Sequence, residues 1–387
     1  MLSDLIKRVF EIEGKAYIVG GYIRKLQKGQ ESSDIDIVAE NDVERLANIL
    51  AEDIKGTVVA FKKGGIIRVV SDNITLDFSR IQGSIHDDLG KRDFTINAIA
   101  WSPSEGLIDP FDGIGDIKKG IIRAISEKNL RDDPLRLLRA YRFVAEEGYK
   151  IDSETRGMIR RLRRELSSTA AERITSELFK ILLSPGCVKA LGEAFDDGLL
   201  REIIDIDRGQ LNENIKAISK IDRFIDRLKE SEGFKMAVDQ EFSQGLTYRG
   251  LLRLERLLMG SDLNKNRLIL SRAIWKRLKT VTGAFIVYMK EREKISRKAL
   301  FDIFYELRDA SIDFSILTGS RKIFAEARRF LDMKDIMPGN RIAEITGLKG
   351  KKIGDLLKKL RYLQFIGRLD DRETLITKAK DIADSLT

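Results

Sequence analysis

One cysteine, Cys187, and one histidine, His86, are all that 387 residues offer of either type. A disulfide within the chain is excluded, and zinc sites of His and Cys or Cys–His nucleophilic catalysis lack their parts. Any metal has to be held by carboxylates, which favours Mg²⁺. Proline is scarce too, five in all, and beyond residue 125 only Pro134, Pro185 and Pro338 remain to interrupt helices. No apolar run approaches the ~20 residues of a membrane span. The opening MLSDLIKRVFEIEGK has no apolar core of signal-peptide type. The expectation is a cytoplasmic protein with no membrane partner.

What the chain has is charge. Charged residues make up 34% and hydrophobic ones 43%, with a net charge of +9. A basic excess points to a polyanion, nucleic acid first, but an ion-rich surface of thermophile type gives the same number. The length allows about two to four compact units. Before residue 125, β-rich runs (AYIVGG, DIDIVA, GTVVAF, GIIRVV, NITLDF) alternate with glycine turns and helical stretches such as VERLANILAEDI. After it the pattern is almost wholly helical, without a clear repeat. The reading is an α/β head over residues 1–122, a helical neck over 123–185, a helical body over 186–320 and a basic helical tail over 321–387.

Side chains alternate along a strand, so Asp34 and Asp36 in SDIDIVA share a face while Ile35 and Ile37 turn to the core. Two carboxylates so placed repel each other unless a cation bridges them. Asp77, in ITLDFSR, lies on a later strand that can face the same pocket. Carboxylates of this kind hold Mg²⁺ for in-line phosphoryl transfer, though a lone D-x-D is also an ordinary surface pair. Gly20 and Gly21 close AYIV ahead of a helix, YIRKLQKG. Its first amides and Arg24 suit an anion, and a plain tight turn wants the same glycines. In RDDPLRLLRAYRF, Asp132 or Asp133 caps a helix with Pro134 in its first turn. Arg136, Arg139 and Arg142 follow along one side, and Leu135, Leu138 and Phe143 pack inward. Such arginines need polyanions or carboxylates, with Glu146 and Glu147 as the local candidates.

The string GG-x-x-R, D-x-D, R-D-F-T-x-N-A, D-P-x-x-G-x-x-D and D-P-x-R-x-x-R-A-x-R-F resembles the bacterial class II tRNA nucleotidyltransferases and poly(A) polymerases. The resemblance runs in order through residues 15–185, with ERITSELFKILL matching the next helix and GLKGKKIGDLLKKLRYLQFIGRL the C-terminal segment. It implies a polymerase-β-type nucleotidyltransferase head followed by all-α neck, body and tail. It also implies Mg²⁺-dependent, template-independent transfer of CMP from CTP to the tRNA 3′-hydroxyl, releasing pyrophosphate. In that reading Asp34 and Asp36 hold the metals, and Asp77 is the third carboxylate, helping to activate the hydroxyl. Gly20, Gly21 and Arg24 cradle triphosphate, Arg92 contacts nucleotide, and Asp93 with Asn97 belongs to a ribose motif or simply braces a helix start. Asp133 and Arg136 form a protein template for the base. A carboxylate accepts from the exocyclic amine of C or A and a guanidinium donates to the ring nitrogen, whereas U and G present the opposite pattern. Arg139 and Arg142 support this reader or hold phosphate. Asp109, Asp112 and Asp116 hold the head–neck turn together. Lys349, Lys351, Lys352, Lys358, Lys359 and Arg361 contact phosphates of the tRNA acceptor arm and elbow, or are a solvated helix face.

The sequence departs from the family pattern at Lys25, where an acidic residue is usual, and at Lys91, which replaces an arginine. Only FSRIQGSIHDDLGK separates Asp77 from Arg92. Family members that add all of CCA have a longer, flexible segment here, so the short one favours CC addition, with a separate A-adding enzyme acting afterwards. His86, inside it, reads as an incidental loop residue. The rivals are full CCA addition with ATP as second substrate, A addition, poly(A) polymerase, a small-molecule nucleotidyltransferase, and a catalytically inactive RNA-binding protein of the same fold.

Overall fold

Seven short strands form the sheet on which the N-terminal part of the chain is built, in the order β3-β4-β5-β2-β1-β6-β7. The computed structural model describes residues 2–60, 65–231, 238–292 and 295–385. The chain divides into two compact units, residues 1–203 and 204–387.

In the first unit the strands are β1 (Ala16–Val19), β2 (Asp34–Ala39), β3 (Thr57–Ala60), β4 (Ile67–Val70), β5 (Thr75–Arg80), β6 (Ala100–Ser102) and β7 (Gly106–Ile108). All neighbours are antiparallel except β2 and β5, which run parallel with Asp36 opposite Asp77. Between them lie α1 (Leu2–Ile12), α2 (Gly21–Gln27), α3 (Val43–Asp53), α4 (Ile85–Gly90) and α5 (Gly113–Lys119). Local chemistry fixes their ends: Asp42 caps α3 by accepting from the Arg45 amide, and Ser84 with Asp87 forms a reciprocal capping box on α4. The short Asp77–Arg92 segment therefore holds the end of β5 and one short capped helix, with His86 exposed on it.

A two-residue parallel ribbon, β8 (Ile121–Ile122) with β9 (Lys150–Ile151), brackets α6 (Glu127–Asp132) and α7 (Leu135–Glu147). The unit ends with α8 (Ser153–Leu162), α9 (Ala171–Leu183) and α10 (Cys187–Asp196), where Cys187 is buried. Leu135, Leu138 and Phe143 are buried as expected. The capping expectation is corrected: α7 starts after Pro134 without a side-chain cap, Asp132 ends α6, and Asp133 reaches the Leu135 amide only at 3.4 Å.

The second unit comprises α11 (Arg208–Ser231), a hairpin of β10 (Glu241–Ser243) and β11 (Leu246–Thr247), then α12 (Tyr248–Leu257), α13 (Arg272–Glu291), α14 (Arg297–Leu307), α15 (Ser311–Thr318), α16 (Arg321–Asp332), α17 (Gly339–Thr346), α18 (Gly350–Phe365) and α19 (Arg372–Asp384). The hairpin interrupts the all-helical expectation because Gln244 and Gly245 both turn with positive φ, 57° and 74°. Its core is phenylalanine-rich, with Phe301, Phe304, Phe314, Phe330 and Phe365 packed on one another at ring separations of 5.7–6.3 Å. Glu255 and Asp313 are fully buried inside it. Asp313 accepts from Tyr248 and from Arg277 at 2.6 Å. Burial and the Asp313 charge hold the Glu255 carboxyl well above its usual range, against the pull of Arg277. No helix among the described residues is long and apolar enough to cross a membrane.

Candidate active site

The strand alternation of β2 places Asp34 and Asp36 on the solvent-facing side, with Ile35 and Ile37 buried beneath them. Parallel pairing sets Asp77 of β5 beside Asp36. All three carboxylates line one hollow of about 780 Å³. Burial, with the Asp77 and Asp34 charges nearby, lifts the Asp36 carboxyl above its usual range even though Arg92 and Arg139 pull the other way. An under-neutralised carboxylate beside two more is a donor set suited to an oxygen-preferring divalent cation. Asp77 is set apart from the other two: both its oxygens accept from Arg68, directly across the β4–β5 pair, at 2.7 and 2.6 Å. Accordingly, no three such side chains among the described residues converge closely enough to hold an ion by themselves.

A second hollow, about 250 Å³, adjoins the first through Asp36, Arg139 and Arg142, which line both. It is walled by Gly20, Gly21, Arg24, Arg92, Asp93, Asn97 and Arg136. Gly20 is required here: its φ is +68°, and a Cβ would meet Arg92 Nη1 at 2.9 Å. Its amide donates to the Ile99 carbonyl at 3.0 Å, and Gly21 begins α2. The Arg24 guanidinium is buried, donating to Asn97 Oδ1, 3.5 Å from Glu147 and 4.8 Å from the centre of the Phe143 ring.

The remaining polar groups brace one another. Arg92 donates to Asp88 at 3.0 Å and to the Asn97 carbonyl at 3.3 Å. Asp93 accepts from the Phe94 amide and from Asn97, both at 2.8 Å, and pairs with Arg139 at 2.9 Å. Burial alone would raise the Asp93 carboxyl, yet Arg139, Asn97, the Phe94 amide and Arg136 together hold it below its usual range. Arg136 donates to the Asn129 carbonyl at 2.9 Å, and Asn129 in turn donates to the Gly90 and Arg92 carbonyls. Arg142 pairs with Glu177 of α9 at 3.0 Å, more closely than with Glu146 at 3.6 Å.

Asp133 lines neither hollow. Its carboxylate is turned to Arg173 of α9, accepting two hydrogen bonds at 3.1 and 2.9 Å. Lys25 also stays outside: it donates to Ser32 Oγ at 3.1 Å, and Ser32 grips both backbone groups of Asp34. The head–neck turn is held by Asp109, which accepts from the Gly113 and Ile114 amides, and by Asp116, which binds Thr95 and Arg123, while Asp112 turns the chain with φ 53°. In the tail, Lys349, Lys351, Lys352 and Lys359 are exposed, whereas Lys358 pairs with Asp302 at 2.8 Å and Arg361 with Asp335 at 2.7 Å. Sequence reading missed Arg68, Arg173 and Glu177; the only signal for the last two was their place in ERITSELFKILL.

A family model described as the poly A polymerase head domain matches residues 16–83 and 76–123, and one described as a probable RNA and SrmB-binding site of polymerase A matches 148–205. A CC-adding tRNA nucleotidyltransferase of Geobacter sulfurreducens is 30% identical over 384 residues, 92% of this chain and 89% of that protein. A second one, from Synechocystis sp., is 35% identical over 259 residues, 65% of this chain and 61% of that protein. The fold is that of the Thermotoga maritima CCA-adding enzyme solved with tRNA, with a TM-score of 0.76, 22% identity, and cover of 98% of this chain and 93% of that one. The chain belongs to the tRNA nucleotidyltransferase and poly(A) polymerase family, and it carries that family's α/β head and helical remainder.

Proposed function

We propose that the protein is a Mg²⁺-dependent tRNA 3′-end nucleotidyltransferase that adds the two cytidines, transferring CMP from CTP and releasing pyrophosphate. The observation that carries this is the pair of adjoining hollows, one lined by carboxylates and one by arginines, meeting at Asp36, Arg139 and Arg142. The names of the relatives at 35% and 30% identity support CC addition. So does the compact, capped segment between Asp77 and Arg92.

Asp34 and Asp36 would hold the divalent ion. Such an ion acidifies an attacking hydroxyl and steadies a departing pyrophosphate. Asp77 faces the same hollow and would accept a hydrogen bond from the RNA 3′-hydroxyl once Arg68 yields one of its oxygens. Arg139 and Arg142, aimed by Asp93 and Glu177, would receive phosphate oxygens, with Gly21, Arg24 and Arg92 behind them. Asp93 and Asn97, locked together, would meet the ribose. Arg136 and Asp133 would read the base, which requires Asp133 to exchange Arg173 for the exocyclic amine of cytosine. In this scheme the neck recognises the base, and the exposed lysines of α18 contribute to tRNA binding. Substrates of this kind imply work in the cytoplasm.

The test is incorporation of labelled CMP from CTP into tRNA lacking its last three nucleotides, with Mg²⁺ and then with EDTA. Mg²⁺-dependent labelling is expected. Absence of incorporation from CTP with intact protein refutes the proposal.

A further inference from the structure

The C-terminal unit contains a hollow of about 520 Å³ with an unusual charge pattern. Lys220, Arg223 and Arg227 reach it from α11, Arg256 from α12 and Arg292 from the end of α13, and no carboxylate is among its described lining residues. Three arginines of α12 and α13 are matched to acids. Arg249 pairs with Asp222 and Asp226 at 3.3 and 2.8 Å, Arg253 with Asp222 at 3.0 Å, and Arg277 with Asp309 and Asp313, both at 2.6 Å. Arg256 follows on the same helix as Arg249 and Arg253, yet its buried Nε has no hydrogen-bond partner. Burial lowers its pKa from the usual arginine value, with Glu213 the one carboxylate opposing that shift.

Two internal explanations fall short. The guanidinium lies 5.7 Å from the centre of the Phe285 ring, a contact worth about 0.5–2 kcal/mol that still gives the Nε–H no acceptor. The last turn of α15 also faces the hollow, but a helix C-terminus supplies only about half a negative charge. Five cations around one concave, partly apolar space raise the potential for an anion with several acceptor oxygens. We propose that this hollow is a phosphate-binding site, taking a phosphate group of an RNA backbone or of free pyrophosphate. Arg256 is its anchoring donor, and the cations of α11 and Arg292 form its rim. The RNA source rests on the tRNA reading above; the phosphate chemistry does not.

The test compares the full chain with an Arg223→Gln/Arg256→Gln variant and with Arg256→Lys, using CTP binding as a check that the head is intact. The probes are labelled tRNA lacking its last three nucleotides, titrated at several salt concentrations, and pyrophosphate by calorimetry. For an RNA phosphate, tRNA affinity falls about tenfold or more and the slope of log K against log salt becomes shallower by ~1–2. Arg256→Lys retains most of the binding. If tRNA binding is unchanged but one pyrophosphate site is lost, the site serves free phosphate ligands. If the double variant matches the parent with both probes, the proposal is overturned. A chain that fails to add CMP yet shows the Arg256-dependent change would contradict the proposed function and leave this site standing.

Discussion

The two units treat their arginines in opposite ways. Around the head and neck hollows, Arg68, Arg92, Arg139 and Arg142 are each matched to a carboxylate at 2.6–3.0 Å. Around the hollow of the C-terminal unit, by contrast, no described lining residue is acidic. Matched arginines are pre-aimed, which suits a small ligand that must be held for chemistry in one orientation. A lining of cations with no acid among them attracts any phosphate that approaches, which suits a polyanion whose contact is spread over many residues.

The strongest way to break the head side of this contrast is to remove the acid shared by its two hollows, the proposed metal ligand. Asp36→Ala is expected to lower CMP transfer by about 10³-fold or more, several kcal/mol of transition-state stabilisation, while leaving the melting temperature near that of the parent. Glu177→Ala would break the 3.0 Å pair with Arg142 and leave that guanidinium only its looser carboxylate contact with Glu146 at 3.6 Å. Breaking such a pair costs about 3 kcal/mol, read as a lower urea midpoint, and CTP affinity should fall with it; Glu177→Asp should recover part of both.

Arg136→Ala tests whether the aiming serves base choice. The preference for CTP over UTP should drop by about 10–100-fold with little change in affinity for the divalent ion, because uracil offers the opposite donor pattern. An unchanged preference would show that α7 does not read the base.

A smaller effect probes Glu255, which with Asp313 is buried in the core of the C-terminal unit, away from its hollow. The folded-state pKa of Glu255 is raised, so the stability it confers is complete below the unfolded carboxylate value and is lost as pH rises through the folded one. Glu255→Gln should flatten that decline and raise stability at mildly alkaline pH by about 1 kcal/mol, seen as a melting temperature that no longer falls with pH. Smallest of all, Lys25→Ala should cost only a few-fold in turnover, since Lys25 reaches Asp34 through Ser32 and not through the substrate space.

How far the sequence carries differs by residue, for geometric reasons. Asp34 and Asp36 could be placed on one face from strand periodicity alone, and Arg139 and Arg142 on one side of α7 from helical spacing. The residues that hold those groups could not be placed. Arg68 meets Asp77 only because β4 and β5 pair in one register, and Glu177 and Arg173 arrive from α9, more than thirty residues after the groups they bind. The family motif suggested Asp133 as a reader of the base, while its turn toward Arg173 could not be read from the sequence. The hollow around Arg256 is assembled from four helices, and no single stretch of sequence announces it. Lys25 looked like a defect in a known pattern and proves to be a brace on the turn into β2.

The most direct test of the whole account is to give the protein tRNA lacking its last three nucleotides, with CTP and ATP together, and to size the product. Two added nucleotides, both C, are predicted. A product three nucleotides longer, a single added A or a long tail would contradict CC addition, and no extension at all would contradict the catalytic site.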